Sequence, residues 1–266
     1  MKKVSARDGR SYMFCYICLY LSRWRITRLG SMSGGFRAGL VGEIARRARG
    51  GVERCLDGDS VAVVLVSGGM DSAVLLRLLD IMGVGIVAVS INTRSRSSGE
   101  KIALRRLLST LENLRAFHEV ETRDLMEAVE LSGLGYSGFR EREPYYIPAR
   151  NIIFLGYALY YAEICGARSI FTAHNKNDAQ YLPDASRGFM DLFERLAEIY
   201  TPGVRICTPF SELDKVEVAI LGIAIGAPID LSWSCYDNKK NPCGNCRGCI
   251  EREHAIKKAR VLVSGL

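Results

Sequence analysis

No stretch of the chain carries the roughly 20 consecutive apolar residues that a membrane-spanning helix needs. The longest candidate, Tyr12 to Leu21, lies between basic residues but is too short, and no Ala-x-Ala cleavage site follows it. Internal repeats and low-complexity tracts are also absent, which excludes solenoids and compositional linkers. A Walker A loop is missing its Lys-Ser or Lys-Thr pair, and no Gly-x-Gly-x-x-Gly fingerprint occurs. The positive balance of +7 is also local. Residues 1–31 hold seven basic side chains against Asp8 alone and so supply six of those charges. A nearly neutral body argues against direct tRNA binding.

What remains is ordinary globular composition, with 48% hydrophobic and 24% charged residues over 266 positions. One main domain with a small appendage is expected. Residues 1–31 read as an N-terminal extension of unknown role, with Met32 as an alternative start, and 32–230 as the main domain. Residues 231–266 read as a metal-binding segment with a C-terminal helix.

Val- and Ile-rich runs alternate with helical patterns, the signature of an α/β protein with a doubly wound parallel sheet. Strands are predicted at Val61 to Val66, Gly85 to Ile91, Phe117 to Glu121, Ser169 to Ala173 and Val204 to Cys207. Helices are predicted at Ala38 to Cys55, Asp71 to Met82, Gly99 to Asn113, Arg123 to Leu131, Asn151 to Cys165, Arg187 to Ile199 and Ser211 to Ile225. Irregular stretches, Leu131 to Pro148 and His174 to Ser186, are placed where loops carry function.

The first strand runs into Ser67-Gly68-Gly69-Met70-Asp71-Ser72 and then an amphipathic helix. Adjacent glycines permit positive φ and let backbone N–H groups approach an anion, while the helix N-terminus adds favourable potential. Ser67 and Ser72 can donate to phosphate oxygens. Asp71 is open to two roles, a helix N-cap or a ligand to nucleotide-bound Mg²⁺.

Nine cysteines form an odd set, and Cys235, Cys243, Cys246 and Cys249 crowd together as C-x7-C-x2-C-x2-C. Such clustering reads as metal binding in a reducing compartment rather than a disulfide framework. Four thiolates suit a structural tetrahedral Zn²⁺, and an iron–sulfur cluster is the alternative. Cys15 and Cys18 read as apolar filler, and Cys55, Cys165 and Cys207 as small hydrophobes on core faces.

The Ser-Gly-Gly-x-Asp-Ser loop resembles that of the PP-loop ATP-pyrophosphatase superfamily, whose members adenylate a substrate and release pyrophosphate. With Leu231-Ser-Trp-Ser-Cys235, the Pro242-Cys243-Gly244-x-Cys246-x-x-Cys249 run and Pro148-Ala-Arg150-Asn151, the stretch from about Val61 to Ala255 is similar to the 7-cyano-7-deazaguanine synthase family. The resemblance implies a cytoplasmic ATP-dependent carbon–nitrogen ligase. It would join 7-carboxy-7-deazaguanine and ammonia into the nitrile precursor of queuosine and archaeosine, with ATP, Mg²⁺ and structural Zn²⁺. Leu65, Val66, Ser67, Gly68, Gly69, Met70, Asp71, Ser72 and Asn151 would form the ATP site, and Asp71, Arg150 and Asp178 would be catalytic. Asp184 would receive the exocyclic amine and ring N–H of a guanine-like base. His174 is open to a general-base role or a plain hydrogen-bonding one.

Departures fall in substrate-side loops. The chain has Asn92-Thr-Arg-Ser-Arg-Ser where the family shows Asp-Tyr-Gly-Gln-Arg-His, and Leu182-Pro-Asp-Ala-Ser-Arg where it shows Tyr-Pro-Asp-Cys-Arg. Two rival readings stand beside this one: a PP-loop enzyme that adenylates a tRNA base before thiolation or amidation, and a non-catalytic zinc and nucleotide-binding module. A homodimer is compatible with the sequence, but no motif encodes one.

Overall fold

A computed structural model describes residues 35–93, 96–122, 147, 149–237 and 241–263. The Tyr12 to Leu21 run, Cys15, Cys18 and the helix expected over Arg123 to Leu131 lie outside them. So does the irregular stretch that follows, except Ile147, which is buried.

The order along the chain is α1 (Gly35–Leu56), β1 (Val61–Leu65), α2 (Met70–Ile81), β2 (Gly85–Asn92), α3 (Ser98–Leu108) and β3 (Leu114–Glu121). After them come α4 (Arg150–Cys165), β4 (Ser169–Phe171), α5 (Asp178–Tyr181), α6 (Arg187–Ala197), β5 (Arg205–Cys207), α7 (Lys215–Ala224) and α8 (Arg247–Val263). Short 3₁₀ turns cover Pro183–Ala185 and Ile229–Leu231. All strand pairs are parallel, in the order β3-β2-β1-β4-β5. The doubly wound sheet expected from the sequence is therefore present.

The continuous apolar strands follow from burial on both faces, which the period of two makes visible. Ala62, Val64, Ile86, Ala88 and Phe171 enter a core shared with α1, α2, α3, α7 and α8. Their neighbours Val63, Val87, Val89 and Ile170 enter a second core under α4 and α6. Ala255, Ile256 and Ala259 of α8 belong to the first core, so the helix that follows the cysteines is packed against the sheet layer through α7. Among the described residues, no helix is long and apolar enough to cross a membrane.

Four sequence expectations need correction. Helix α7 begins at Lys215, not Ser211. Phe210 and Leu213 are fully buried as a turn, and Asp214 forms the capping box with Glu217 that the Ser-Glu-Leu-Asp pattern placed one turn too early. Helix α3 stops at Leu108, five residues before Asn113. There the N–H groups of Glu112 and Asn113 both donate to the buried Asp80 carboxylate, 2.9 and 2.8 Å away, which turns the chain into β3. Finally, Cys55 and Cys207 are not unlinked core hydrophobes: a disulfide joins the end of α1 to β5, with Cα atoms 5.9 Å apart. Cys165 is exposed, not core-facing.

With β1 between β2 and β4, the strand order reverses between β1 and β4. In open α/β sheets this reversal opens a crevice at the strand C-termini. The loops that follow these two strands, 66–69 and 172–177, both lead into it.

Candidate active site at the sheet switch point

Leu65 ends β1, and Val66 continues the ladder by donating its N–H to the Val89 carbonyl at 3.0 Å. Gly68 has φ of +96°, and a Cβ there would lie 2.7 Å from the Glu100 carbonyl oxygen, so both conformation and space require glycine. Gly69 is the N-cap of α2 and offers no side-chain cap, which leaves first-turn N–H groups of the helix open to an anion. The cap alternative for Asp71 is thereby excluded.

Ser67 and Ser72 face each other, their hydroxyl oxygens 3.2 Å apart, and Ser72 Oγ also accepts the Ser67 N–H at 3.2 Å. Ser67 Oγ in turn accepts the Gly69 N–H at 3.2 Å. The hydroxyls that could bind phosphate thus stabilise the loop's own turn. Met70 is 1% exposed and part of the core, so only its backbone can serve a ligand.

Asp71 lies behind this loop. Its Oδ1 is covered and has no donor in hydrogen-bonding geometry, and its Oδ2 lies 3.9 Å from Lys215 Nζ. Burial pushes the Asp71 carboxyl up to about 6, aided by the nearby Asp178 and Glu251 carboxylates. Lys215 pulls in the opposite direction, as does Asn175 more weakly. Burial also works against the Lys215 ammonium, yet Asp71, Glu251 and Asp178 outweigh it and raise its pKa. A buried carboxylate oxygen without a donor, set among further carboxylates, is a donor set that suits a cation.

From the other side of the crevice, Asp178 starts α5 and accepts the Asn175 N–H at 3.0 Å. Asn151, 3% exposed at the start of α4, donates its backbone N–H to Asp184 Oδ2 (3.0 Å) and its amide to the Asp184 carbonyl (2.8 Å). Asp184 therefore does the capping work that Ala149, at φ 48° and without a side-chain oxygen, cannot do. The Asn151 amide also lies 3.2 Å from His174 Nε2, and His174 Nδ1 lies 2.8 Å from Thr172 Oγ1. Both ring nitrogens are engaged, and burial, with a smaller push from Arg150, lowers the imidazole's pKa even though Asp178 and Asp184 raise it. A neutral ring that accepts from Asn151 and donates to Thr172 satisfies every contact, and favours the hydrogen-bonding role for His174. Arg150 begins α4, with its guanidinium carbon 6.0 Å from the centroid of Phe154.

Two residues of this site were missed in the sequence. Arg96 has only 4% of its side chain exposed, donates to Asn92 Oδ1 at 2.8 Å, and also bonds Ser90 Oγ and the Ser67 carbonyl. It braces the glycine loop from the connection between β2 and α3. Its signal was present but disguised, since it lies in the divergent Asn92-Thr-Arg-Ser-Arg-Ser run. Lys215 is the other. A lysine in the first turn of a helix opposes the helix dipole. That misplaced charge, directly after the Asp214 cap, was the available clue.

The four cysteine sulfurs lie within 4.8 Å of one another. A tetrahedron of thiolates with metal bonds of about 2.3 Å places sulfurs roughly 3.8 Å apart; Cys243 Sγ and Cys249 Sγ are 4.0 Å apart. The donor set therefore fits a metal ion. Backbone N–H groups of Cys243, Cys246 and Cys249 point at Sγ of Cys235, Cys243 and Cys246 at 3.2 to 3.5 Å, which favours thiolate and orients the ligands. N–H groups of Asn245 and Cys246 bring the Cys243 thiol down to about 6, whereas burial pushes Cys249 up to about 12.

The glycine loop, the uncapped helix and the switch-point crevice define an ATP-binding protein of the PP-loop, adenine nucleotide α-hydrolase-like class. The profile described as queuosine biosynthesis protein QueC matches residues 61–260, and the chain belongs to that family. It is 32% identical over 227 residues to a 7-cyano-7-deazaguanine synthase from Rickettsia felis, covering 75% of this chain and 96% of that one. For the 7-cyano-7-deazaguanine synthase from Legionella pneumophila (strain Corby) the figures are 34% over 215 residues, 75% and 93%. Among solved structures, the U34-tRNA thiolase NcsA from Methanococcus maripaludis, determined with its 4Fe-4S cluster, is similar at a TM-score of 0.50 and 15% identity. That likeness covers 86% of this chain and 78% of the thiolase, and shows the fold alone.

Proposed function

We propose that this protein is a 7-cyano-7-deazaguanine synthase, an ATP-dependent ligase that turns the carboxylate of 7-carboxy-7-deazaguanine into a nitrile with ammonia as the nitrogen source. The observation that carries this is that the family match, residues 61–260, takes in both the PP-loop and the cysteine segment. The two are one structure: the N–H of Trp233, two residues before Cys235, donates to the Gly68 carbonyl at 2.9 Å.

In this proposal Leu65 and Val66 deliver the loop to the crevice, and the N–H groups and hydroxyls of Ser67 to Ser72 hold the ATP phosphates. Asp71 and Asp178 would hold Mg²⁺, with the Lys215 ammonium balancing the same carboxylates. Asn151 fixes the start of α4, from which Arg150 reaches the substrate carboxylate or a phosphate oxygen. Asp184 receives the amine and ring N–H of the deazaguanine. The carboxylate oxygen attacks the α-phosphorus and releases pyrophosphate; ammonia then displaces AMP to give the amide. A second adenylation, on the amide oxygen, is followed by loss of AMP and a proton to leave the nitrile. Cys235, Cys243, Cys246 and Cys249 would hold Zn²⁺, which would support the local fold rather than the chemistry, since four thiolates fill a tetrahedral shell. A cytoplasmic setting suits four free thiolates, with the Cys55–Cys207 disulfide as the exception to its reducing chemistry, and the reactants are small molecules.

Pyrophosphate release measured across a set of carboxylic acids tests the substrate. It should depend on 7-carboxy-7-deazaguanine and exceed that with benzoate or guanine-free acids by at least about 10²-fold, as expected where a site hydrogen-bonds the correct base. Equal release with all acids would show that Asp184 and its loop read no base.

A pH dependence follows from Asp71. Its carboxyl titrates near 6 in the ligand-free fold, above its ordinary 3.8. The stability it contributes is present below the ordinary value and is lost as pH rises through about 6. Mg²⁺ needs the ionised form, so Mg-ATP affinity should rise between pH 5 and 7 with uptake of the cation and release of a proton. Calorimetry in buffers of different ionisation enthalpy counts that proton. Asp71→Asn should lose the proton assigned to this group while retaining the one from ATP itself; an unchanged count would place the titration elsewhere.

A further inference from the structure

We infer that Trp233 is a positioning residue for the ATP loop, through which the metal segment sets the loop's shape and couples metal affinity to ATP affinity. This rests on the proposal that ATP phosphates bind at Ser67 to Ser72. Three contacts of Trp233 meet there. Its backbone N–H donates to the Gly68 carbonyl at 2.9 Å. Because the peptide is planar and trans, fixing that carbonyl fixes the Gly69 N–H on the opposite side, where it faces Ser67 Oγ at 3.2 Å. The indole N–H donates to the carbonyl of Cys235, a metal-ligand residue, at 2.9 Å. The indole ring lies against Gly99 so closely that a Cβ would stand 2.4 Å from Cε2. Trp233 is thus held between the first cysteine and the start of α3, with the phosphate loop hung from its backbone.

A second strut parallels the first. Glu251, two residues after Cys249 on α8, lies 3.2 Å from Lys215 Nζ, which in turn lies 3.9 Å from Asp71 Oδ2. Gly248 seals the junction, since a Cβ there would meet the Ser234 carbonyl oxygen at 2.0 Å. The first and last cysteines of the cluster therefore each lead by a short chain of contacts to one side of the PP-loop: Cys235 to Gly68, Cys249 to Asp71. Contacts of this kind carry coupling between sites, and coupling in binding free energy is reciprocal.

The test uses the metal-loaded protein. Zinc affinity is measured by equilibrium competition with a chelating dye in constant Mg²⁺, with and without saturating ATP, and Mg-ATP affinity is measured directly. Saturating ATP should tighten zinc binding in the wild type by about tenfold, within the usual range of coupling. Gly99→Ala, which displaces the indole without touching either ligand set, should weaken Mg-ATP binding by about tenfold and abolish the ATP effect on zinc. One zinc per chain should remain bound. Trp233→Phe keeps most of the ring and loses the indole N–H; it should retain zinc and show a reduced ATP effect, and it stands in should Gly99→Ala fold poorly. Wild-type ATP affinity in both variants, or zinc affinity indifferent to ATP in the wild type, overturns the inference. Failure of the wild type to bind ATP at all would instead overturn the assignment of the PP-loop.

Discussion

Asp71→Asn is expected to lower ATP turnover by about 10²-fold or more, the scale on which enzymes lose rate when one electrostatic contact to the transition state is removed. The carboxylate's Oδ1 is covered and without a donor, while Lys215, Asp178 and Glu251 crowd around it. Asparagine keeps the shape but cannot neutralise a divalent cation. Stability should move the other way. Ionised Asp71 is disfavoured in the ligand-free fold, since its carboxyl titrates near 6, so at neutral pH the neutral amide removes a cost. No helix cap is lost either, because Gly69 holds that position. Steady-state release of AMP and pyrophosphate, with thermal melting beside it, should show a crippled enzyme that melts at or above the wild-type temperature. Near-normal turnover would make the glycine turn a structural joint only.

Cys246→Ser is expected to have the largest structural effect. Four sulfurs lie within 4.8 Å of one another, and a segment that gathers four thiolates around one point relies on a metal to hold them there. Removing one thiolate should lower zinc content from one per chain to well below half in dialysed protein, because metal binding and local folding are one process. The damage should spread. Helix α8 contributes Ala255, Ile256 and Ala259 to the larger core, and Arg252 holds the 229–232 turn by donating to the Ile229 carbonyl at 2.9 Å. A loss of about 3 kcal/mol would lower the melting temperature by on the order of 10 °C for a chain of this size. Elemental analysis and melting curves measure both effects. Full zinc occupancy in the variant, or iron and sulfide in the wild type, would contradict a four-thiolate zinc site.

The sequence made some elements plain and hid others for physical reasons. Strands β1 and β2 were legible because burial on both faces leaves unbroken Val and Ile runs, and the PP-loop because two glycines between a strand and a helix have few other uses. The cysteine cluster was legible from spacing alone. Pairing of Cys55 with Cys207 was not, since 152 residues separate them and only the packing of α1 beside β5 brings them together. Boundaries at α3 and α7 were misplaced because they depend on tertiary bonds, the Asp80 carboxylate in one case and the buried Phe210 turn in the other. At the site, Arg96 and Lys215 meet the glycine loop from elsewhere in the chain, and neither belongs to a motif that would have singled it out. A motif describes one loop; the crevice is built from loops after two different strands, and their meeting is a property of sheet order.

The measurement closest to the central claim is the stoichiometry of ATP use. With 7-carboxy-7-deazaguanine, ammonium and Mg-ATP, two AMP and two pyrophosphate should form for each nitrile, because two oxygens must leave the carboxylate and each leaves as AMP. With the corresponding amide as substrate, one of each should form, and ammonium should no longer be required. A ratio of one AMP per product from the acid, with the amide accumulating as the final species, would contradict nitrile synthesis and make the protein an amide-forming ligase.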